Sequence, residues 1–206
     1  MKKIIFALTI IIGSSTLLCA QNIQFGVKGG INLSNLSVSP VKDPPAPAVR
    51  LGLNIGGFAE LGIIDNLLFR PEIMISTQGA NDEDQDVTQT VKLTYLNTAL
   101  LVKYNIAGGI NIFAGPQVGL LVGGKFVEED RVSGEQNVFN ANAVYKGTDI
   151  SLGLGAGYDL DMGLSIDLRY NHGLTNNNDD QLGNAFYDID QVLKSRVVQI
   201  NLSYKF

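Results

Sequence analysis

Apolar and polar residues alternate in one run after another along most of this chain. The final run shows this alternation most clearly, with apolar residues at Val198, Ile200, Leu202, Tyr204 and Phe206 and polar residues between them. A period of two places every apolar side chain on one face of an extended strand. The sequence therefore predicts strands that each have one apolar face and one polar or small face.

Eight such runs are present after residue 20, and most are 10–16 residues long. Strands in soluble proteins are typically about 5–6 residues long, whereas a strand that crosses a membrane at a tilt needs about 9–11 residues in the hydrocarbon alone. The lengths therefore favour membrane-crossing strands. We predict these strands at residues 22–33, 48–62, 67–78, 90–105, 110–123, 148–160, 164–174 and 195–206.

The predicted connections alternate between short and long. Those after the second, fourth and sixth strands are brief turns at residues 63–66, 106–109 and 161–163. Those after the odd-numbered strands are long and polar, at residues 34–47, 81–86, 124–147 and 175–194. Short turns on one side and long loops on the other are typical of outer-membrane barrels. We therefore predict an all-β, eight-stranded antiparallel closed transmembrane β-barrel with short periplasmic turns and long extracellular loops.

The fourth predicted strand contains one conflict of phase. Its apolar residues fall at odd positions as far as Tyr95 and at even positions from Leu96 onward. An extra residue in a strand, a β-bulge, moves the side chains that follow it to the opposite face. We therefore expect a β-bulge near Tyr95.

Aromatic residues mark one rim of the predicted barrel. They lie where strands meet the termini or the short turns, at Phe25, Phe69, Tyr104, Tyr158 and Phe206. Aromatic girdles occupy membrane–water interfaces because the ring is apolar and tyrosine adds a polar tip. A soluble, lipocalin-like barrel turns its apolar face inward and has no reason to collect these residues at one rim.

The first twenty residues have the composition of a secretory signal peptide. Two lysines precede an apolar run at residues 4–12, and small residues follow it. The run is too short for a membrane-spanning helix. We expect cleavage after Ala20, which leaves a barrel domain at residues 21–206. Lipid attachment at Cys19 is the alternative, which the bulky Leu18 before it disfavours.

Composition and charge exclude several other classes of protein. The formal net charge of −5 disfavours nucleic acid as a partner, because phosphates attract basic surfaces. A single cysteine excludes a disulfide framework and a cysteine-rich zinc site. Asp82, Glu83, Asp84 and Asp86 offer carboxylates to calcium, but they lack the spacing and the glycine of an EF-hand loop. We therefore favour a solvated acidic loop, and we predict no metal site and no cofactor.

Three segments resemble those of a known protein family. They read GVKGGINL at residues 26–33, YLNTALLVKY at residues 95–104 and GPQVG at residues 115–119. In this order they resemble the small outer-membrane β-barrel family that includes PorT-like proteins, although members often carry an acidic residue and a proline where Asn97 and Ala99 stand. The terminal Phe206 is similar to the C-terminal signal that the barrel-assembly machinery reads. The resemblance implies a barrel in the outer membrane of a Gram-negative-type cell, embedded in outer-membrane lipid, and no defined activity.

The alternation also predicts which charged residues face the inside of the barrel. Eight strands enclose an interior that is just wide enough for side chains to fill. Since an unpaired buried charge is costly, we expect paired charges that close the lumen, with a narrow solute channel as the alternative. The residues predicted to point inward are Lys28, Arg50, Glu60, Arg70, Glu72, Lys103, Asp159, Asp167 and Arg169.

We expect a non-enzymatic structural, interaction or assembly role through the extracellular loops. The loop at residues 125–146 is the longest and carries apolar residues among charges, which suggests a surface that binds a protein partner or a β-ribbon above the membrane. Deleting residues 134–143 is expected to abolish capture of a partner and to leave assembly of the barrel intact.

An outer-membrane lipid-modifying enzyme that uses His172 is the principal alternative. His172 is the only histidine and lies near the outer end of the seventh predicted strand, and Asp179, Asp180 and Ser195 are the other candidate members of a catalytic set. No spacing in the sequence pairs a nucleophile with a base, so we assign no catalytic residue. A soluble periplasmic binder is a third possibility.

Overall fold

The computed structural model describes residues 23–39, 49–83, 87–130, 136–140, 147–177 and 192–206. Strands account for nearly all of them, and none of these residues forms a helix long and apolar enough to cross a membrane. The strands are β1 (Ile23–Ser39), β2 (Arg50–Ile64), β3 (Leu67–Glu83), β4 (Val87–Ala107), β5 (Ile110–Asp130), β6 (Gln136–Asn140), β7 (Thr148–Asp159), β8 (Leu164–Gly173) and β9 (Val192–Lys205).

Eight of the strands form a closed antiparallel ring. Each pairs with the next strand of the ring, β5 pairs with β7, and β9 closes the ring by pairing with β1 over Gly26–Ser39. Closure leaves no unpaired strand edge at the level of the membrane, where a free backbone N–H or C=O has no water to bind. The short β6 lies outside the ring and pairs with β5 only, among the described strands. The eight predicted membrane strands and the closed barrel are confirmed.

Several strands extend further than their alternation of polarity predicts. Residues 34–39, 81–83 and 124–130 are strand rather than loop. The pairs Glu83↔Thr88 and Val87↔Asp130 show that the ladder continues to the ends of β3, β4 and β5. Backbone groups pair across strands whatever the side chains are, whereas the apolar face is required only where lipid contacts the barrel. The alternation of polarity therefore predicts the part of each strand that crosses the membrane. It does not predict how far the strand continues beyond the membrane.

The side chains of the barrel are polar inside and apolar outside. Lys28 and Arg169 face inward and are 2% and 0% exposed, whereas Leu53 and Leu154 face outward and are 65% and 62% exposed. This arrangement is the inverse of a lipocalin, whose apolar side chains line the interior. The structure therefore excludes the soluble lipocalin-like binder.

The β-bulge lies next to the predicted position but on the partner strand. Thr94 pairs with Gly123 and Tyr95 pairs with Leu121, so the extra residue is Val122 of β5. The odd-numbered residues of β4 stay buried from Val91 to Lys103, so β4 itself does not change phase. A bulge near Tyr95 is therefore confirmed, but its extra residue lies in β5 and not in β4, because the apolar residues at the outer end of β4 face the lumen.

The short turns and the aromatic rim lie at the same end of the barrel. Gly108 and Gly109 form the two-residue turn between β4 and β5 with φ values of 58° and 86°, a conformation that glycine adopts without strain. The five predicted rim aromatics all lie near this end and point outward, with Phe25 56% and Phe206 72% exposed. The predicted position of the aromatic girdle relative to the turns is confirmed.

Candidate functional site

Most of the inward-facing charges form one connected ion-pair network, and Glu72 is the partner that several of them share. Its carboxylate lies 3.3 Å from Lys28 Nζ, 2.9 Å from Arg70 Nε and 2.7 Å from Arg169 Nη2. Asp167 lies 3.6 Å from Lys28 and 3.8 Å from Arg70 and is a second carboxylate partner of these two cations. Burial of these side chains is costly unless each charge is paired, and the network supplies those pairs.

A second part of the network lies toward the turns. Lys103 Nζ is 2.9 Å from Glu60 and 2.8 Å from Asp159, and Lys205 Nζ is 3.3 Å and 3.5 Å from the same two carboxylates. Arg70 lies 3.7 Å from Glu60 and joins the two parts. Lys205 was missed from the sequence, although it has the same odd parity as the inward residues of β9.

The predicted inward set is otherwise confirmed by burial. Seven of the nine predicted residues are buried, and Arg50 and Asp159 are partly exposed near the two ends of the lumen. Arg50 donates to the backbone carbonyl of Gln78 over 2.7 Å. The expectation of paired charges inside the barrel therefore holds in detail for Lys28, Glu72 and their neighbours.

Two phenylalanines share the interior with the arginines. The Arg70 guanidinium lies 4.1 Å from the centroid of the Phe58 ring, and that of Arg169 lies 5.2 Å from the centroid of Phe113. Such cation–π contacts favour a charge that has left water. A methyl group at Gly155 would overlap the Phe113 ring, so this glycine makes room for it. Large side chains therefore occupy the middle of the lumen.

A layer of amides and hydroxyls continues the filling toward the outer end. The Asn32 amide donates to Ser76 Oγ over 2.8 Å, and its carbonyl accepts from Asn54 over 2.7 Å and from Gln199 over 3.0 Å. Asn171 extends this chain of bonds by donating to Gln199 over 3.1 Å. The layer links β1, β2, β3, β8 and β9 through their inward faces.

An apolar cluster occupies the outer end of the lumen. Val91, Leu93 and Tyr95 are buried there, and Leu121 and Phe126 of β5 pack against them. The cluster was not predicted from the sequence, because apolar residues in an alternating strand are expected to face lipid.

The chain that follows β8 begins by covering this end of the barrel. Asn177 is 1% exposed and donates its backbone N–H to the carbonyl of Leu193 over 2.8 Å. Between Asn177, Tyr95 and Ser34 lies a cavity of about 10 Å³, roughly the space that one water molecule needs. Among the described residues around Asn177, this cavity therefore has room for about one water molecule.

The residues of the catalytic alternative are not brought together. His172 points out of the barrel, where its Nδ1 lies 3.3 Å from the Tyr170 hydroxyl. Ser195 points inward and donates to Asp149 Oδ2 over 2.7 Å. The barrel wall therefore separates the histidine from the serine, and Asp179 and Asp180 lie outside the described residues.

The calcium alternative falls largely on residues that the structure does not describe. Asp82 and Glu83 belong to β3, and Asp84 and Asp86 lie outside the described residues. Across the described part of the chain, no group of three or more His, Cys, Asp or Glu residues is placed to hold a metal ion.

One side of the barrel extends well beyond the other. Strands β4 and β5 have 21 residues each, whereas β7 has 12 and β8 has 10. Beyond the bulge, β4 and β5 pair from Thr94↔Gly123 to Val87↔Asp130, and β6 adds five further pairs along β5. We call residues 79–83, 87–94, 123–130 and 136–140 the outer wall. Within the described part of residues 125–146, β5 and β6 pair as the suggested β-ribbon would, from Lys125↔Asn140 to Glu129↔Gln136.

Comparison with known proteins identifies relatives of this barrel. Residues 19–179 match the family model described as outer membrane protein beta-barrel domain. The crystal structure of Neisserial surface protein A is similar with a TM-score of 0.52 at 14% identity, covering 88% of this chain and 97% of that protein. Ail, the attachment invasion locus protein of Yersinia pestis, is similar with a TM-score of 0.50 at 13% identity, covering 89% and 98%. No curated protein sequence matches the chain.

Proposed function

Because the chain belongs to the outer membrane protein beta-barrel domain family, we propose that it is a non-enzymatic outer-membrane protein that binds a protein partner through its outer wall. The observation that carries this proposal is the unequal height of the strands. In β5 the eight residues from Gly123 to Asp130 follow the bulge. At about 3.3 Å per residue they add roughly 25 Å of strand.

The outer wall has the properties of a surface for a protein partner. A hydrogen-bonded sheet holds its exposed side chains in place, so little conformational entropy is lost on binding. Val138 of β6 is 58% exposed, beside charged residues such as Glu129 and Lys125. Val138 lies directly opposite Val127 of β5, and adjoining exposed apolar side chains with a polar rim mark interaction surfaces.

The interior offers less support for the alternative functions. Arg70, Arg169 and Phe113 occupy the middle of the lumen, which disfavours a narrow solute channel. The separation of His172 from Ser195 by the barrel wall disfavours a lipid-modifying enzyme that uses both.

We also propose how the chain reaches its membrane. Residues 1–20 act as a signal peptide that is removed after Ala20, and Phe206 is the contact for the barrel-assembly machinery. The exposed Phe206, whose N–H donates to the Phe25 carbonyl over 3.0 Å, supports this role because it is fixed beside β1 with its ring outside.

A photo-crosslinking pair tests the proposed interaction. A photoreactive residue replaces Val138 of the outer wall in one strain and Leu154, which faces lipid, in the other. We expect a discrete protein adduct from position 138 in intact cells and none from position 154. Adducts at equal yield from both positions, or none from 138, would contradict the proposal.

Two deletion variants test whether capture of the partner requires the outer wall. Removal of residues 134–143 should abolish the adduct formed from a probe placed at Lys125, while removal of residues 41–47 from the first outer loop should preserve it. Both variants must assemble to wild-type levels in the outer membrane. An adduct that survives removal of residues 134–143 would locate the partner elsewhere.

A further inference from the structure

The charges on the outer surface of the strands are segregated by sign and by height. Outward strand positions with described side chains carry only basic charges from the aromatic rim up to Lys125, and Glu129 lies four residues further along β5. The apolar band below these cations carries no charged side chain among the described outward positions. The basic residues, which we call the cationic belt, are Lys92, Lys125, Lys194 and Arg196.

The alternation of burial establishes that these side chains point outward. Lys92 lies between the buried Val91 and Leu93, and Arg196 lies between the buried Ser195 and Val197. Lys125 and Phe126 are neighbours on β5, and Phe126 packs against the apolar cluster inside the barrel. Lys125 is therefore directed to the outside, like the other members of the belt.

The cationic belt lies near the outer boundary of the membrane. Lys92 is twelve residues from the rim residue Tyr104 along β4, and Arg196 is ten residues from Phe206. At about 3.3 Å per residue and a tilt of about 40°, these separations correspond to roughly 25–30 Å along the barrel axis. The apolar band of outer-membrane barrels is about 25 Å tall. The belt therefore reaches the level of the outer headgroups.

The belt contains two clusters of cations. Lys92 and Lys125 are directly opposite each other on β4 and β5 and are both exposed. Like charges at opposite positions repel each other, so an anion bound between the two lysines offsets their repulsion. On the other side of the barrel, Lys194 and Arg196 share the outward face of β9, and Arg196 pairs with His172 of β8.

We propose that the cationic belt binds the phosphate groups of a phosphorylated glycolipid in the outer leaflet. The chemistry of such a lipid fits both features of the surface. Its acyl chains contact the apolar band, and its phosphates lie at the height of the lysines and the arginine. Each basic residue at a membrane surface increases the affinity for an anionic headgroup about fivefold. Lys92 and Lys125 also belong to the outer wall, so there the lipid contact adjoins the surface proposed for the protein partner, whereas Lys194 and Arg196 lie outside that wall.

The test compares two forms of one lipid on the purified full-length barrel in detergent. Phosphorylated lipid A and the same lipid A without its phosphates are titrated, and bound lipid is counted by native mass spectrometry. We expect the phosphorylated form to bind at least about tenfold more tightly. Equal binding of the two forms would overturn the proposal. Displacement of the lipid by an equal concentration of inorganic phosphate would also overturn it, because the proposed ligand is a lipid.

Paired substitutions assign the preference to the cationic belt. The double variants Lys92→Gln with Lys125→Gln and Lys194→Gln with Arg196→Gln should each reduce the preference for the phosphorylated lipid about 25-fold, at about fivefold for each cation. The matched control, Lys92→Arg with Lys125→Arg, keeps the charges and should keep the preference. Circular dichroism confirms that each variant has assembled. A preference that survives both glutamine pairs would show that the belt does not bind the phosphates.

Discussion

At the scale of single residues, Glu72 holds the buried network together. It is the shared partner of Lys28, Arg70 and Arg169, and its side chain is fully buried. Glu72→Gln leaves three buried cations with one partner fewer, and breaking a buried ion pair from one side costs about 3–5 kcal/mol. We expect a loss of this size in the free energy of unfolding, measured by urea titration in lipid vesicles.

An exposed glutamate provides the control for this change. Glu129→Gln removes the same charge from an exposed position on β5, where a substitution changes stability by about 0.5 kcal/mol or less. Equal losses for the two variants would show that the buried pairs contribute no more than a surface charge does.

His172 gives a second prediction at this scale. Its side chain lies outside the barrel beside Tyr170, whereas Ser195 faces the lumen. We therefore expect His172→Ala to leave the lipid composition of the outer membrane unchanged, as measured by mass spectrometry of extracted lipids. A lipid species that disappears in this variant and returns on complementation would instead support the enzymatic alternative.

At the scale of strands, β4 provides the sharpest test of the arrangement of the lumen. Leu93 faces the apolar cluster and is 2% exposed, whereas Leu100 faces outward and is 47% exposed. Leu93→Ala should cost about 2–5 kcal/mol, because it loses apolar burial and leaves a cavity. Leu100→Ala should cost clearly less, because lipid chains fill the vacated space. If the two costs are equal in the same urea titration, Leu93 does not face the lumen.

Residues on several strands show what the sequence can and cannot predict about the lumen. Alternate residues of a strand point to opposite faces of the barrel wall. The alternation of polarity therefore assigns Lys28 and Glu72 to the lumen, as the structure confirms. Which charges meet depends on the stagger between strands, and the contact between Arg169 and Glu72 was therefore not predictable. An apolar residue such as Leu93 suits either lipid or an apolar plug, so its polarity alone does not reveal its side of the wall.

At the scale of the whole molecule, the barrel combines a filled interior with an asymmetric outer surface. The ionic network, the amide layer and the apolar cluster fill successive levels of the lumen, and the outer wall rises on one side. The sequence predicted the strand number and closure from the long alternating runs. It predicted too short an outer wall, because a strand above the membrane does not need an apolar face. Thr88 and Gln89 of β4 are examples of such polar strand residues.

The mass of the native complex tests the central claim of an outer-membrane barrel that binds a protein partner. The full-length protein is extracted from its own outer membrane in a mild detergent, and the mass of the protein component is measured. We predict a stoichiometric complex that is heavier than the barrel alone and that dissociates when residues 134–143 are deleted. A clean monomer, with detergent and lipid as its only companions, would contradict the account.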